Sequence, residues 1–224
     1  MEQKEKLSTA LTAMGSALTK EASGSGGEKP TEGVVDIEVV NTIVKDWNAL
    51  PKKAVKQTLE KYGAPNEATP SRLIWYNTGP WKRTLIYRDE VPHNFPAPHT
   101  DVVEQWIDYK VPPEKAGEII VFDGSLLVER TKGEVGVRCD MEAANFIAIN
   151  LMHEIVTGNR TVEDARKEYG EAISAFLMNR PSPYAEGFTF ELPTGKTADV
   201  DEIKIGAAML EQIGKKIKDA VNGR

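Results

Sequence analysis

Two of the three histidines in this 224-residue chain fall within one short run, Val91-Pro92-His93-Asn94-Phe95-Pro96-Ala97-Pro98-His99-Thr100-Asp101. Imidazole nitrogens and a carboxylate oxygen are donors that divalent transition metals accept. Three of them leave one coordination position for a water, whose pKa the ion draws toward neutrality. Prolines at 92, 96 and 98 fix φ and stiffen the run, so it can hold donors still. His93, His99 and Asp101 are therefore candidate metal ligands and binding residues, and a divalent metal is the candidate cofactor. The spacing His-x5-His-x-Asp is not diagnostic of any zinc family, and each residue has an ordinary use as well. Histidine satisfies backbone carbonyls in a proline-rich loop, and aspartate caps or turns the chain.

A second set lies between Asp123 and Asp140. Side chains alternate faces along a strand, which puts Glu129 and Arg130 on opposite faces and Glu134 and Arg138 on the same one. Glu134 and Arg138 are candidate binding residues for a polar ligand, although cross-strand ion pairing on a wet sheet face is the plainer account. The single cysteine, Cys139, precedes Asp140 at a helix start, where the helix N-terminus lowers a thiol pKa and the carboxylate raises it. With no histidine placed beside it by the sequence, a buried structural thiol is expected. A third set is Asn150, His153 and Glu154, which helical steps of three and four bring to one face of an otherwise apolar helix. His153 and Glu154 are the candidate catalytic residues, as a general base and the carboxylate that holds it. The plain alternative is a stripe that faces solvent.

The motifs that are missing narrow the field. There is no Gly-x-Ser-x-Gly elbow, His-Glu-x-x-His, Cys-x-x-Cys, or Gly-x-Gly-x-x-Gly after a strand. Thirty-four acidic against 28 basic residues give a net charge of −6, which argues against nucleic acid as a partner. One cysteine excludes an internal disulfide framework. No apolar run approaches the roughly 20 residues of a membrane span. The opening residues have no basic segment leading into an apolar one, so the cytoplasm is the expected location.

The elements that must position these residues follow from periodicity. Leu7, Leu11, Met14 and Leu18 form one helical stripe, and a Gly/Ser linker follows at residues 22–30. Residues 1–33 are thus expected to be a flexible segment and 34–224 one domain. A helix is expected from Ile37 to near Leu50, and a second with Pro51 in its first turn, ending at Gly63. Strands are expected at 71–77, 82–88 and 104–111, then 118–122 and 125–129 as a hairpin through Asp123-Gly124, then 134–139. Asp140 is the expected N-cap of a helix running to Thr157, buried almost all round, and Thr161 that of the next. A strand at 187–192 and a helix from Asp201, with Leu210, Ile213, Ile217 and Val221 on one face and Asn222-Gly223 at its end, complete the chain. Helices, then strands, then helices give an α+β fold, an antiparallel meander packed against helices with one central buried helix.

Tyr62-Gly63-Ala64-Pro65, Gly79-Pro80-Trp81-Lys82, the run His93 to Asp101, Phe122-Asp123-Gly124-Ser125, Glu129 to Glu134 and Arg138-Cys139-Asp140 resemble a group of uncharacterised bacterial proteins. The resemblance spans roughly residues 45–170. It implies a bacterial origin and one domain, and it assigns no catalytic residue. The expected role is a non-catalytic module that binds a small molecule or a protein partner, with a homo-oligomer left open. The alternative is a metal-assisted hydrolase using His93, His99 and Asp101.

Overall fold

The structure, a computed structural model, describes residues 3–222. Helices α1 (Gln3–Ser23), α2 (Ile37–Val44) and α3 (Ala49–Tyr62) precede strands β1 (Glu67–Thr69), β2 (Arg72–Thr78), β3 (Trp81–His93) and β4 (His99–Asp108). Then come α4 (Ala116–Phe122), β5 (Leu126–Glu129), β6 (Glu134–Cys139), α5 (Glu142–Val156), α6 (Val162–Leu177), α7 (Pro183–Glu186) and α8 (Ala207–Asn222). The strands form one antiparallel sheet in the order β1-β2-β3-β4-β6-β5, and the class is α+β.

Alternation along the strands buries one face of this sheet. Leu73, Trp75, Ile86 and Val103 meet Val40, Trp47, Ala54 and Val55 from the α2–α3 region. Ile107, Val135 and Val137 meet α5, whose Phe146, Ile147, Ile149, Leu151, Met152 and Ile155 are all buried. Ten of the fifteen residues of α5 are buried, as its nearly continuous apolar surface requires.

The residues pointing the other way form a charged ladder. Lys82 bridges Asp108 and Glu134 at 2.6 and 2.8 Å, Arg83 reaches Glu134 at 2.7 Å, and Arg138 reaches Glu104 at 2.5 Å. Glu134 and Arg138 do sit across from Asp108 and Glu104 on adjacent strands, and instead of pairing with each other Glu134 engages Lys82 and Arg83 of β3 and Arg138 engages Glu104 of β4. Between them Gly136 lies under Trp106, where an added Cβ would come within 2.6 Å of the indole ring. Gly136→Ala is therefore expected to cost about 1–3 kcal/mol through overpacking. A lower urea midpoint at unchanged slope would show this. An unchanged midpoint would mean that the indole moves aside freely.

Several local expectations are corrected. Residues 118–122 form the end of helix α4, not a strand. Ile119 and Phe122 are fully buried while Ile120 and Val121 are 64% and 67% exposed, so a three-residue step, not a continuous apolar run, places the side chains. Pro113 opens the 3-10 turn that leads into this helix. The hairpin is therefore β5–β6. The helix expected over 37–50 breaks after Val44, and α3 starts at Ala49 with Pro51 still inside its first turn. The N-cap position of α5 is Met141, not Asp140, and it makes no side-chain cap. Thr161 does cap α6, accepting from Asp164 N.

Residues 187–192 form no strand. They belong to a strap lashed to α5 by Asn150, which donates to the carbonyls of Tyr184 and Gly187 at 3.0 and 2.8 Å and accepts from Thr189 N at 2.8 Å. Phe188 and Phe190 of the strap pack against the core, Phe188 on Trp81 and Phe146. The compact body spans Pro30–Val200, whereas α1 and α8 group in a second unit. The last helix thus starts at Ala207 rather than Asp201, and outside the domain expected to contain it. The expected roles of the Ile217 and Val221 side chains and of Gly223 fall outside the described residues.

Candidate metal centre

The run that the prolines stiffen is the tip of the β3–β4 hairpin, with both histidines in its strands. His93 pairs directly across from His99, Pro92 from Thr100 and Val91 from Asp101. Directly opposed residues share a sheet face, and so do residues two apart on one strand, so the pairing turns His93, His99 and Asp101 to one side. A register shift between Ile86 and Val91 separates this tip from the regular ladder. Such irregularities re-aim side chains.

One ligand atom from each of His93, His99 and Asp101 lies within 4.8 Å of the other two. Among the described residues this is the only such group of histidine, cysteine or acidic side chains. The centre of the group is Asp101 Oδ1, a buried oxygen that accepts no well-aligned hydrogen bond. His99 Nε2 stands 3.2 Å from it and His93 Nδ1 3.6 Å. Donors held about 2.0–2.1 Å from a tetrahedral ion stand about 3.3–3.4 Å apart, so both separations suit a shared ion.

The outer partners fix how the rings are presented. His99 Nδ1 is 2.8 Å from the Ala97 carbonyl, which only accepts, so this nitrogen carries a hydrogen, and Nε2, facing Asp101, is the nitrogen that a metal takes once its own proton is displaced. His93 Nε2 faces Asp123 Oδ1 at 3.7 Å, and Asp123 is itself held by Ser125 N at 2.8 Å. Ser125 Oγ donates to the second oxygen of Asp101 and lies 3.2 Å from His93 Nδ1. His99 thus stands as metal-binding histidines do, its far nitrogen bonded to an outer-shell oxygen and its near nitrogen beside the carboxylate, while His93 Nε2 faces Asp123 from beyond hydrogen-bond reach.

Charge in the cluster follows from these contacts. The Asp101 carboxylate, then the Cys139 sulfur, hold the His99 imidazolium up to about 11 from an ordinary 6.5. Burial pushes the Asp101 carboxyl up, but His99, Ser125 and His93 outweigh it and hold the group below its usual value. Burial dominates at Asp123 and raises it. In protein stripped of metal, the His99 pairing contributes stability below about pH 6.5, and that contribution is lost as the pH climbs toward 11.

Cys139, at the end of β6, lies 3.3 Å from His99 Nε2. It is buried, as expected, and outside the three-residue group. Its histidine neighbour was not legible because β4–β6 pairing is non-local. Asp123 and Ser125 are likewise missed by the sequence, which reads Asp123 as a turn residue and Ser125 as the start of a strand. The short Asp-Gly-Ser sequence after an apolar stretch was the sole local signal.

The other candidates lie elsewhere. His153 stacks on Phe190 at 3.9 Å and meets the Tyr109 hydroxyl at 2.9 Å, and burial lowers its pKa. Glu154 pairs with Arg160 at 2.5 Å and accepts from the Tyr184 hydroxyl at 2.6 Å. Glu134 and Arg138 belong to the charged ladder. None of the four is in the cluster.

Comparison with protein-family models, with curated proteins and with solved structures finds no match to this chain, so the chemistry of the site is argued from its own atoms.

Proposed function

We propose that this protein is a binding module whose ligand is one divalent transition-metal ion of the zinc class, held by His93 Nδ1, His99 Nε2 and Asp101 Oδ1. The observation that carries this is the convergence of two oriented imidazoles on one buried carboxylate oxygen that accepts no aligned hydrogen bond. Two neutral nitrogens and one carboxylate match the borderline character of zinc better than that of calcium or magnesium, which take oxygen donors. Protein purified without an affinity tag and dialysed against zinc should retain one ion per chain. Retention of none contradicts the proposal.

Because His99 is protonated at neutral pH without metal, the ion must displace that proton. Zinc affinity is therefore expected to rise about tenfold per pH unit between pH 6 and 8, the slope for one proton released. A flat profile in competition with a chromophoric chelator would mean that His99 is not a ligand.

A catalytic reading, metal-assisted hydrolysis, has one observation in its favour. Three protein donors to an ion that ordinarily takes four leave a position for water. Zinc-loaded protein should then hydrolyse 4-nitrophenyl acetate faster than the His93→Ala, His99→Ala double variant. Equal rates would leave binding as the whole function.

A further inference from the structure

Beside the hairpin tip lies a cavity of about 270 Å³, walled by Pro96, Pro98, Met141, Ala144, Ile173 and Leu177. The exposed Ser174 lines it, and four other polar side chains meet in one place. There Cys139 Sγ is 3.3 Å from His99 Nε2, 3.5 Å from Asp140 Oδ1 and 3.9 Å from the Tyr169 hydroxyl, and all four residues line the cavity. Leu177, which also lines it, is 66% exposed and marks the opening. The cavity therefore runs from an exposed mouth, past apolar walls, to a polar end that abuts His99.

Polarity graded in this way orients a ligand, with hydrocarbon along the walls and a polar group inward. The volume is that of about nine liquid waters at roughly 30 Å³ each, which limits the ligand to about that many non-hydrogen atoms. The Asp101 and Asp140 carboxylates offset the charge of a divalent ion held there, which leaves no net positive charge to draw in an anion. An ion with three protein donors takes an oxygen donor readily in its remaining position.

We propose that this cavity is the ligand subsite of the metal centre and takes a small uncharged acyl compound. Its oxygen reaches the ion past His99, and its hydrocarbon group fills the cavity. The proposal rests on the metal reading above.

The test is calorimetric titration of zinc-loaded full-length protein with acetamide and benzamide, neutral amides that offer one carbonyl oxygen and differ in hydrocarbon. Benzamide should bind at least tenfold more tightly. Ile173→Trp inside the cavity and Leu177→Trp at its exposed mouth should each remove that preference, while zinc affinity, set by His93, His99 and Asp101, is measured alongside to verify that the centre stays loaded. Equal wild-type affinities, or a preference that survives both substitutions, would overturn the subsite. Zinc uptake, measured first, separates the two claims. If no zinc binds, the metal reading fails, and the methyl resonances of Met141, Ile173 and Leu177 in metal-free protein decide the cavity. Shifts on adding benzamide keep it as an apolar subsite, and their absence removes it.

Discussion

Zinc affinity falls by more than about 100-fold in His99→Ala, beyond the 10–100-fold loss typical when only an outer-shell partner is removed. The size of the effect follows from geometry. His99 supplies the closest approach to Asp101 Oδ1, at 3.2 Å, and the Ala97 carbonyl already holds its ring in the ligating orientation. Asp123→Asn, which alters only the group behind His93, should cost about 10–100-fold. Cys139→Ser should stay within a few-fold, since the thiol lies outside the group. Competition with a chromophoric chelator measures all three, with circular dichroism to verify the fold. Equal losses for Cys139→Ser and His99→Ala would move the centre toward the thiol.

Asn150→Ala destabilises the body by about 2–3 kcal/mol. Asn150 is fully buried, and its amide ties down three strap groups together, the carbonyls of Tyr184 and Gly187 and the N–H of Thr189. Truncation removes all three bonds, each worth about 0.5–1.5 kcal/mol net, and water reaches the freed groups because Tyr184 and Gly187 are half-buried and Thr189 is exposed. Chemical denaturation reads the loss, and faster proteolysis within residues 183–192 reads the lifting. A change under about 1 kcal/mol would show that the aromatic contacts of Phe188 and Phe190 hold the strap alone.

Much of this fold was legible because local rules agreed with the final packing. The apolar surface of α5 announced a central helix, and the alternation in β6 placed Glu134 and Arg138 together. Where two local patterns competed, sequence alone misled. Glu118 to Phe122 contains four consecutive apolar residues that suit a strand, yet only Ile119 and Phe122 reach the core once Pro113 starts a helical turn. The stripe of Asn150, His153 and Glu154 was visible on its helix, but it meets partners 30 or more residues away, Tyr109 for His153 and the strap with Tyr184 for the other two, so a structural role looked like a catalytic or solvated one. For the candidate centre, His93, His99 and Asp101 were legible because a single hairpin brings them together. Asp123, Ser125 and Cys139 were not, since two arrive from the α4–β5 connection and the third by pairing of β6 with β4. Nothing local in a sequence encodes such non-adjacent contacts.

X-ray absorption at the zinc edge of protein loaded with one equivalent of zinc examines the centre most directly. Nitrogen and oxygen scatterers at about 2.0–2.1 Å, with the outer-ring signature of two imidazoles and no sulfur at about 2.3 Å, are what the His93, His99 and Asp101 arrangement predicts. A single imidazole, or a spectrum indistinguishable from hydrated zinc, would contradict it.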